Sequence, residues 1–307
     1  MTFDIRMARV LVSGASGLIG SALLPTLQSA GAVVVRLARP ASNVAIDAED
    51  RVAWDPAKEI APEMVSGFDA VIHLAGESIA GRWTDEKKKR IRNSRVIGTG
   101  HLAQAVARAK EKPRVFISSS AIGFYGDRGD EVLNETSAPG SGFLPEVCRA
   151  WEDATRPAAE AGIRTVCLRT GIVLSRSGGA LGQMLTPFKL GLGGRIGDGR
   201  QWMSWIDVQD MVGGIHHILK TDGLHGAVNM VAPRPVRNAD FTKTLALALS
   251  RPAIFPVPAF VVKTVFGEMG ATLLLGSQRV EPGELVASGY PFRFSDLRAS
   301  LENTIRG

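Results

Sequence analysis

An α/β fold, a doubly wound parallel sheet carrying a small C-terminal substrate-side lobe, is what the sequence predicts, and three observations predict it. Apolar runs of strand length alternate with helix-like segments over the first 170 residues. A glycine-spaced turn, Gly14-Ala15-Ser16-Gly17-Leu18-Ile19-Gly20, joins the first run, Val10-Leu11-Val12, to the helix-like Ser21-Ala22-Leu23-Leu24. Two later runs end in small or hydroxyl residues, Leu74-Ala75-Gly76 and Ser118-Ser119-Ser120. Such alternation with short turns puts helices on both faces of a parallel sheet.

The first strand is predicted over residues 8 to 13 and the first helix over 18 to 30. Between them a pyrophosphate would lie against bare backbone, where helix N-terminal amides and the positive end of the helix dipole meet its charge. A side chain at Gly14 or Gly17 would block that approach. The spacing is GxxGxxG rather than GxGxxG, and its strand–turn–helix context makes the chain a candidate dinucleotide binder with a Rossmann-type sheet. Gly14, Ser16, Gly17, Leu18, Ile19 and Gly20 are its candidate cofactor residues.

Residues 32 to 38 form the next strand, after the helix-closing Gly31. Binders of NAD place an acid about 20 residues beyond the glycine turn to hold the adenosine ribose hydroxyls. Here Arg36 and Arg39 stand instead. An acid would repel a 2′-phosphate, whereas guanidinium forks match one, so NADP(H) is the expected cofactor. Two arginines that merely solvate a strand end are the competing reading.

Residues 69 to 75 read as a buried strand whose end, Leu74-Ala75-Gly76, closes on two small residues that let a cofactor pack on the backbone, and all three are candidate cofactor residues. A helix follows over 84 to 109, its run Lys87-Lys88-Lys89-Arg90 read as a mostly solvated face. The strand over 114 to 119 ends in hydroxyls facing the same crevice, with Ser118 a candidate cofactor contact. Next come a helix over 146 to 161 and a strand over 164 to 169. Beyond Thr170 the pattern loosens into a glycine-rich region, Gly178 to Gly199, of the kind that builds the substrate side of such enzymes. Val208 to Leu219 reads as a helix and Gly226 to Val231 as a strand, and the tail from Pro252 is punctuated by proline. The expected domains are a Rossmann-type unit over 7–175, continued by 205–232, and a substrate-side lobe over 176–204 and 233–307 that includes a C-terminal module at 251–303.

Composition narrows the function. A chain of 307 residues holds one large α/β core and an appendage. No apolar stretch reaches the roughly 18 uninterrupted residues of a membrane span, and the N-terminal residues lack a secretory pattern, so a cytoplasmic protein is expected. Cys148 and Cys167 are too few for a disulfide framework or a sulfur-rich metal site, and no metal is expected. The formal charge of +6 is spread along the chain without a nucleic-acid motif, so an anionic cofactor or substrate accounts for it better than a polyanion. The expected partner is a small molecule of unknown identity. The oligomeric state is open.

The residues resemble the extended short-chain dehydrogenase/reductase superfamily at Gly14 to Gly20, Leu74-Ala75-Gly76, Ser118-Ser119-Ser120, Tyr125-Gly126-Asp127, Arg169-Thr170-Gly171 and Ile206-Asp207-Val208-Gln209-Asp210. More narrowly, His73 to Glu77 with Arg82-Trp83, Ser94-Arg95, Gly191 to Gly194, Asn229 to Pro233 and a short C-terminal module resemble an atypical epimerase-like branch. The branch is often labelled nucleoside-diphosphate-sugar epimerase or cell-division-inhibitor-like. The resemblance covers nearly the whole chain. It implies an NADP-binding fold with Arg39 at the 2′-phosphate, Arg95 near the cofactor, and hydride transfer at an oxygen-bearing carbon.

The superfamily's Tyr-x-x-x-Lys pair is missing. Four residues after Tyr125 comes Gly129, four after Tyr290 comes Phe294, and where the pair should fall the chain reads Phe143 to Glu152. A tyrosine without a neighbouring ammonium keeps a pKa near about 10 and is a poor base at neutral pH. Ser120 and Tyr125 remain as catalytic candidates. Ser120 either orients a substrate oxygen or satisfies strand-end backbone, and Tyr125 either donates a proton or packs. Glu77 is expected to act as a base or, more in keeping with its surroundings, to pair with Arg82 or Arg95. Trp202, Met203 and Trp205 wall a pocket or pack a core, and the adjacent His216 and His217 diverge on their helix and share no site. An NADPH-binding regulatory protein without efficient catalysis is the alternative function.

Overall fold

The computed structural model describes residues 3–40 and 50–306. Seven strands form one sheet: β1 (Arg9–Ser13), β2 (Val33–Ala38), β3 (Arg51–Ala53), β4 (Ala70–His73), β5 (Val115–Ala121), β7 (Arg164–Thr170) and β11 (Gly226–Met230). Their order is β11-β7-β5-β4-β1-β2-β3, and every pairing is parallel. The chain steps outward one way from β1 through β2 and β3, then returns to β4 and steps the other way. Such a reversal opens a crevice at the carboxyl ends of β1 and β4.

Successive strand residues point to opposite faces, and the sequence uses both. Val10, Val12, Ile72 and Ile117 meet Leu23 and Leu27 of α1 (Leu18–Ser29) and Met211, Ile215 and Ile218 of α6 (Val208–Lys220). Leu11, Val71 and Phe116 meet Leu102 and Val106 of α2 (Asp85–Arg108) and Ala158 of α4 (Arg156–Glu160). Helix α2 starts cleanly because the Thr84 hydroxyl accepts the Lys87 N–H at 3.2 Å, with Asp85 and Glu86 in its first turn.

The single helix expected over 146 to 161 is two. Helix α3 (Phe143–Asp153) carries Pro145 in its first turn, where no N–H is required, and Pro157 at the start of α4 marks the break.

A third apolar cluster lies outside the seven-stranded sheet and includes Leu174 and Trp205, from segments expected in the Rossmann-type unit. It joins Leu174 of β8 (Ile172–Leu174), Leu181 and Phe188 of α5 (Gly179–Lys189), Met203 of β9 (Trp202–Met203) and Trp205 of β10 (Trp205–Asp207). Phe241 and Leu245 of α7 (Asn238–Leu249) and Leu301 of α10 (Leu297–Arg306) complete it. Strand β10 pairs with β8 outside the main sheet, and β9 pairs with β12 (Val236–Arg237). The C-terminal segment adds α8 (Ala259–Met269), α9 (Gly283–Ala287) and β13 (Arg279–Val280), which pairs with β6 (Val132–Leu133). Trp205 and Met203 are buried core. Trp202 lies nearer the surface, where its indole N–H donates to Asp130 at 2.9 Å and two arginines, Arg237 and Arg279, cover its ring.

Candidate cofactor and catalytic site

The glycine turn lies at the crevice. Gly14 has φ +70°, and a Cβ there would stand 2.6 Å from the Leu74 carbonyl carbon. A Cβ on Gly20 would stand 2.3 Å from the Gly14 oxygen. Both positions require glycine because backbone, which cannot rotate away, occupies the space. Gly17 caps α1 without any side-chain acceptor, and the first amide bonded within the helix is that of Ser21, to the Gly17 carbonyl. The N–H groups of Leu18, Ile19 and Gly20 therefore have no side-chain cap, and no acid stands in that first turn. This cradle fits a pyrophosphate.

At the end of β2 the two arginines part company. Arg36 is held in an ion pair with Asp50, while Arg39 is exposed, and no carboxylate among the described residues lies within ion-pair distance of it. Glu77 accepts from Lys87 Nζ at 2.7 Å and lies 3.9 Å from Arg90. These cations, Lys87 first and then Arg90 and the more distant Arg39, hold its carboxyl below the usual range. The expected partners Arg82 and Arg95 are thus corrected to Lys87 and Arg90, which reach Glu77 from the first turns of α2. The basic run is correspondingly less solvated than expected, since Lys88 pairs with Glu268 of α8. Arg95 instead donates to the Glu77 and Ile91 carbonyls at 3.0 and 3.1 Å, rests on the Trp151 ring, and lies beneath Gly76, where a Cβ would stand 3.5 Å from its guanidinium carbon.

The end of β5 leads into a buried polar network. The Ser118 hydroxyl donates to the Ser119 carbonyl at 3.2 Å, and Ser118 is fully buried. Ser120 donates to Glu152 Oε1 at 2.6 Å. Arg169 grips both oxygens of Glu152, at 2.9 and 2.8 Å, and donates to the Tyr125 hydroxyl at 3.0 Å. Tyr125 in turn donates to Asn229 Oδ1 at 2.7 Å. Tyr125 has no exposed surface, and burial raises its pKa despite the adjacent Arg169. Arg169 gives Tyr125 a guanidinium neighbour in place of the missing ammonium, but desolvation of the phenolate outweighs that cation, so the hydroxyl is the poor base expected. The face of α3 turned toward Gly123 carries Leu144 and Cys148, within the segment where a Tyr-x-x-x-Lys pair would fall. Burial pushes the Cys148 thiol up to about 12, so it is no nucleophile.

Between β1 and β4, Ser13 Oγ and His73 Nδ1 are 2.6 Å apart, and burial drives the His73 pKa down to about 4. Its Nε2 is buried without a hydrogen-bond partner. Sequence reasoning did not single out Glu152, Arg169 or Asn229 as site residues. Arg169 and Asn229 entered only within motifs, and nothing local signals that they converge.

Nearly the whole chain is similar to known proteins. The NAD dependent epimerase/dehydratase family matches residues 10–231, and a domain of unknown function, DUF1731, matches residues 257–304. Epimerase family protein Mb2239 of Mycobacterium bovis is 40% identical over 298 residues, 96% of each chain. Epimerase family protein SDR39U1 of Homo sapiens is 37% identical over 301 residues, 97% of this chain and 99% of that one. The crystal structure of human SDR39U1 (isoform2) with NADPH superposes with a TM-score of 0.88 at 36% identity, covering 97% of this chain and 99% of its own. UDP-glucuronic acid 4-epimerase from Bacillus cereus, 18% identical with a TM-score of 0.76, shares the fold. With the parallel sheet, the glycine cradle at its switch point and a family match that spans all seven sheet strands but the first residue of β1, this chain belongs to the NAD dependent epimerase/dehydratase family.

Proposed function

We propose that this chain binds NADP(H) and serves as an oxidoreductase-type member of its family, acting at an oxygen-bearing carbon of a small molecule in the cytoplasm. The cradle of Gly14 to Gly20 carries the reading, because no side chain fits at Gly14 or Gly20 and three uncapped helix amides face the crevice. Arg39 supports the phosphate-bearing cofactor, and so does the NADPH found with the human relative. When bound, the nicotinamide supplies hydride chemistry, and this chain's residues supply binding, orientation and exclusion of water. Ser120 gives its single proton to Glu152, so its oxygen can face a substrate only as an acceptor, which suits a substrate hydroxyl. Tyr125, enclosed between Arg169 and Asn229, falls to the packing reading.

A second reading, an NADPH-binding regulatory protein without efficient catalysis, draws on the apolar Leu144 and the inert Cys148 on the α3 face. Titration with NADPH and NADH of wild type and Arg39→Ala, then NADPH oxidation with a panel of carbonyl compounds by wild type and Ser120→Ala, tests both. NADPH binding weakened more than about tenfold by Arg39→Ala, with NADH unaffected, supports the cofactor assignment. Turnover that falls in Ser120→Ala supports the enzyme. Binding without turnover across the panel favours the regulatory reading, and equal affinity for the two cofactors overturns the role of Arg39.

A further inference from the structure

A concave groove of about 480 Å³ lies on the lobe between α7 and the segment that follows it, within the size range of small-molecule sites. Ala246, Leu247, Ala253, Ile254 and Pro256 make it apolar, and Arg195, Lys243 and Arg251 surround it. Its lining includes no carboxylate and no aromatic ring. Neither Arg195 nor Lys243 has an ion-pair partner among the described residues, while Arg251 donates through Nε to the Lys189 carbonyl at 3.0 Å. Leu247 and Ile254 are 64% and 72% exposed, unusual for branched aliphatic residues side by side on a surface.

The groove is separate from the cofactor crevice. Helix α5 begins at Gly179, beside Leu18 of the cradle, and ends at Lys189, bonded to Arg251, so its eleven residues set the two places about 16 Å apart.

We propose that this groove binds an alkyl carboxylate, a medium-chain acyl anion lying along the apolar wall with its head group at Lys243 and Arg195. Complementarity selects that chemistry. Arg195 and Lys243 are exposed, and beside an aliphatic wall their charge complements an anion that carries an alkyl chain. A nucleotide would want a ring to stack on, and a sugar would want carboxylates to take its hydroxyls.

Calorimetric titration of the full chain with decanoate and hexanoate, below their micelle concentrations, tests it in wild type, Lys243→Glu, Arg195→Glu and Leu247→Glu. NADPH titration of each variant reports that it remains folded. The expected result is saturable one-to-one binding of decanoate, weakened more than about tenfold by either charge reversal. Hexanoate should bind more weakly by up to about fourfold for each methylene removed. Absence of saturable decanoate binding overturns the proposal, and so does binding that all three variants leave unchanged. Sedimentation in the same samples excludes the remaining occupant. Self-association abolished by Leu247→Glu, without decanoate binding, would make this face an interface between copies and would also overturn it.

Discussion

Arg169 shows how much of the site rests on a single side chain. Its guanidinium spans Glu152, Tyr125 and the Glu135 carbonyl and lies 3.5 Å from the centre of the Phe124 ring. With Arg169 6% and Glu152 16% exposed, the pair is held in a poorly hydrated place. Removing one member strands the other charge, which costs about 3–5 kcal/mol, whereas removing both costs far less. Arg169→Met is therefore expected to lose that much stability in urea unfolding, and the double variant with Glu152→Leu to recover most of it. Equal losses in the single and double variants would mean that the ring and Tyr125 contacts, rather than the pair, carry the stability. His73 sets a pH limit of its own. Its folded-state pKa of about 4 lies below the ordinary value of 6.5, so the unfolded chain binds the extra proton between those values. Stability from His73 is complete above pH 6.5 and lost as pH falls toward 4, at up to about 1.4 kcal/mol per unit. Asp207, whose pKa burial raises, acts in the opposite sense as pH falls. The difference in stability between wild type and His73→Gln, followed from pH 7 to 4, isolates the histidine and should shrink as pH falls.

At the scale of elements, what could be read from the sequence was what is local. A glycine-spaced turn declares itself in three positions, although only Gly14 and Gly20 leave no room for a side chain, and strand ends declare themselves in Leu74-Ala75-Gly76. Gly20→Ala puts a methyl 2.3 Å from the Gly14 oxygen and under 3 Å from the Ala15 backbone. The turn must open, so NADPH affinity should fall more than about tenfold with a stability loss of about 1–3 kcal/mol, measured by titration and by thermal unfolding. Unchanged affinity would show that the cradle tolerates a wider turn. What could not be read joins distant elements. Glu152 on α3 meets Arg169 on β7 across 17 positions, and Tyr125 meets Asn229 across 104. No periodicity encodes such pairs, because the sheet order rather than the chain order makes them neighbours. The split of α3 from α4 and the partners of Glu77 were misread for a related reason. Helical period does not locate a break, and four basic residues in a row do not say which of them an acid ten positions before the first will reach.

For the whole molecule, the question is what holds the C-terminal module to the sheet domain. The start of α6 supplies two carboxylates for it. Asp207 caps the helix through the Gln209 N–H at 2.8 Å and accepts the Ser300 hydroxyl of α10 at 2.7 Å. Asp210, 1% exposed, accepts the Arg293 and Phe294 N–H groups at 2.8 Å each and the Tyr290 hydroxyl at 3.1 Å. Residues 207 and 210 thus tie in a segment at least 80 positions away, while Leu285, Tyr290 and Phe292 bury apolar surface against the same layer. Asp210→Ala leaves two backbone donors without their acceptor, each worth about 1–3 kcal/mol while it stays buried. The chain can escape that penalty by letting residues 290–294 swing into water, a local opening rather than global unfolding. Limited proteolysis should therefore cut Asp210→Ala between residues 285 and 297 at least about tenfold faster than wild type, with NADPH affinity unchanged, because the cradle lies on α1 and not on this latch. Cleavage at the wild-type rate would assign the attachment to the apolar contacts instead, and a parallel loss of NADPH binding would show that the module and the cofactor crevice open together.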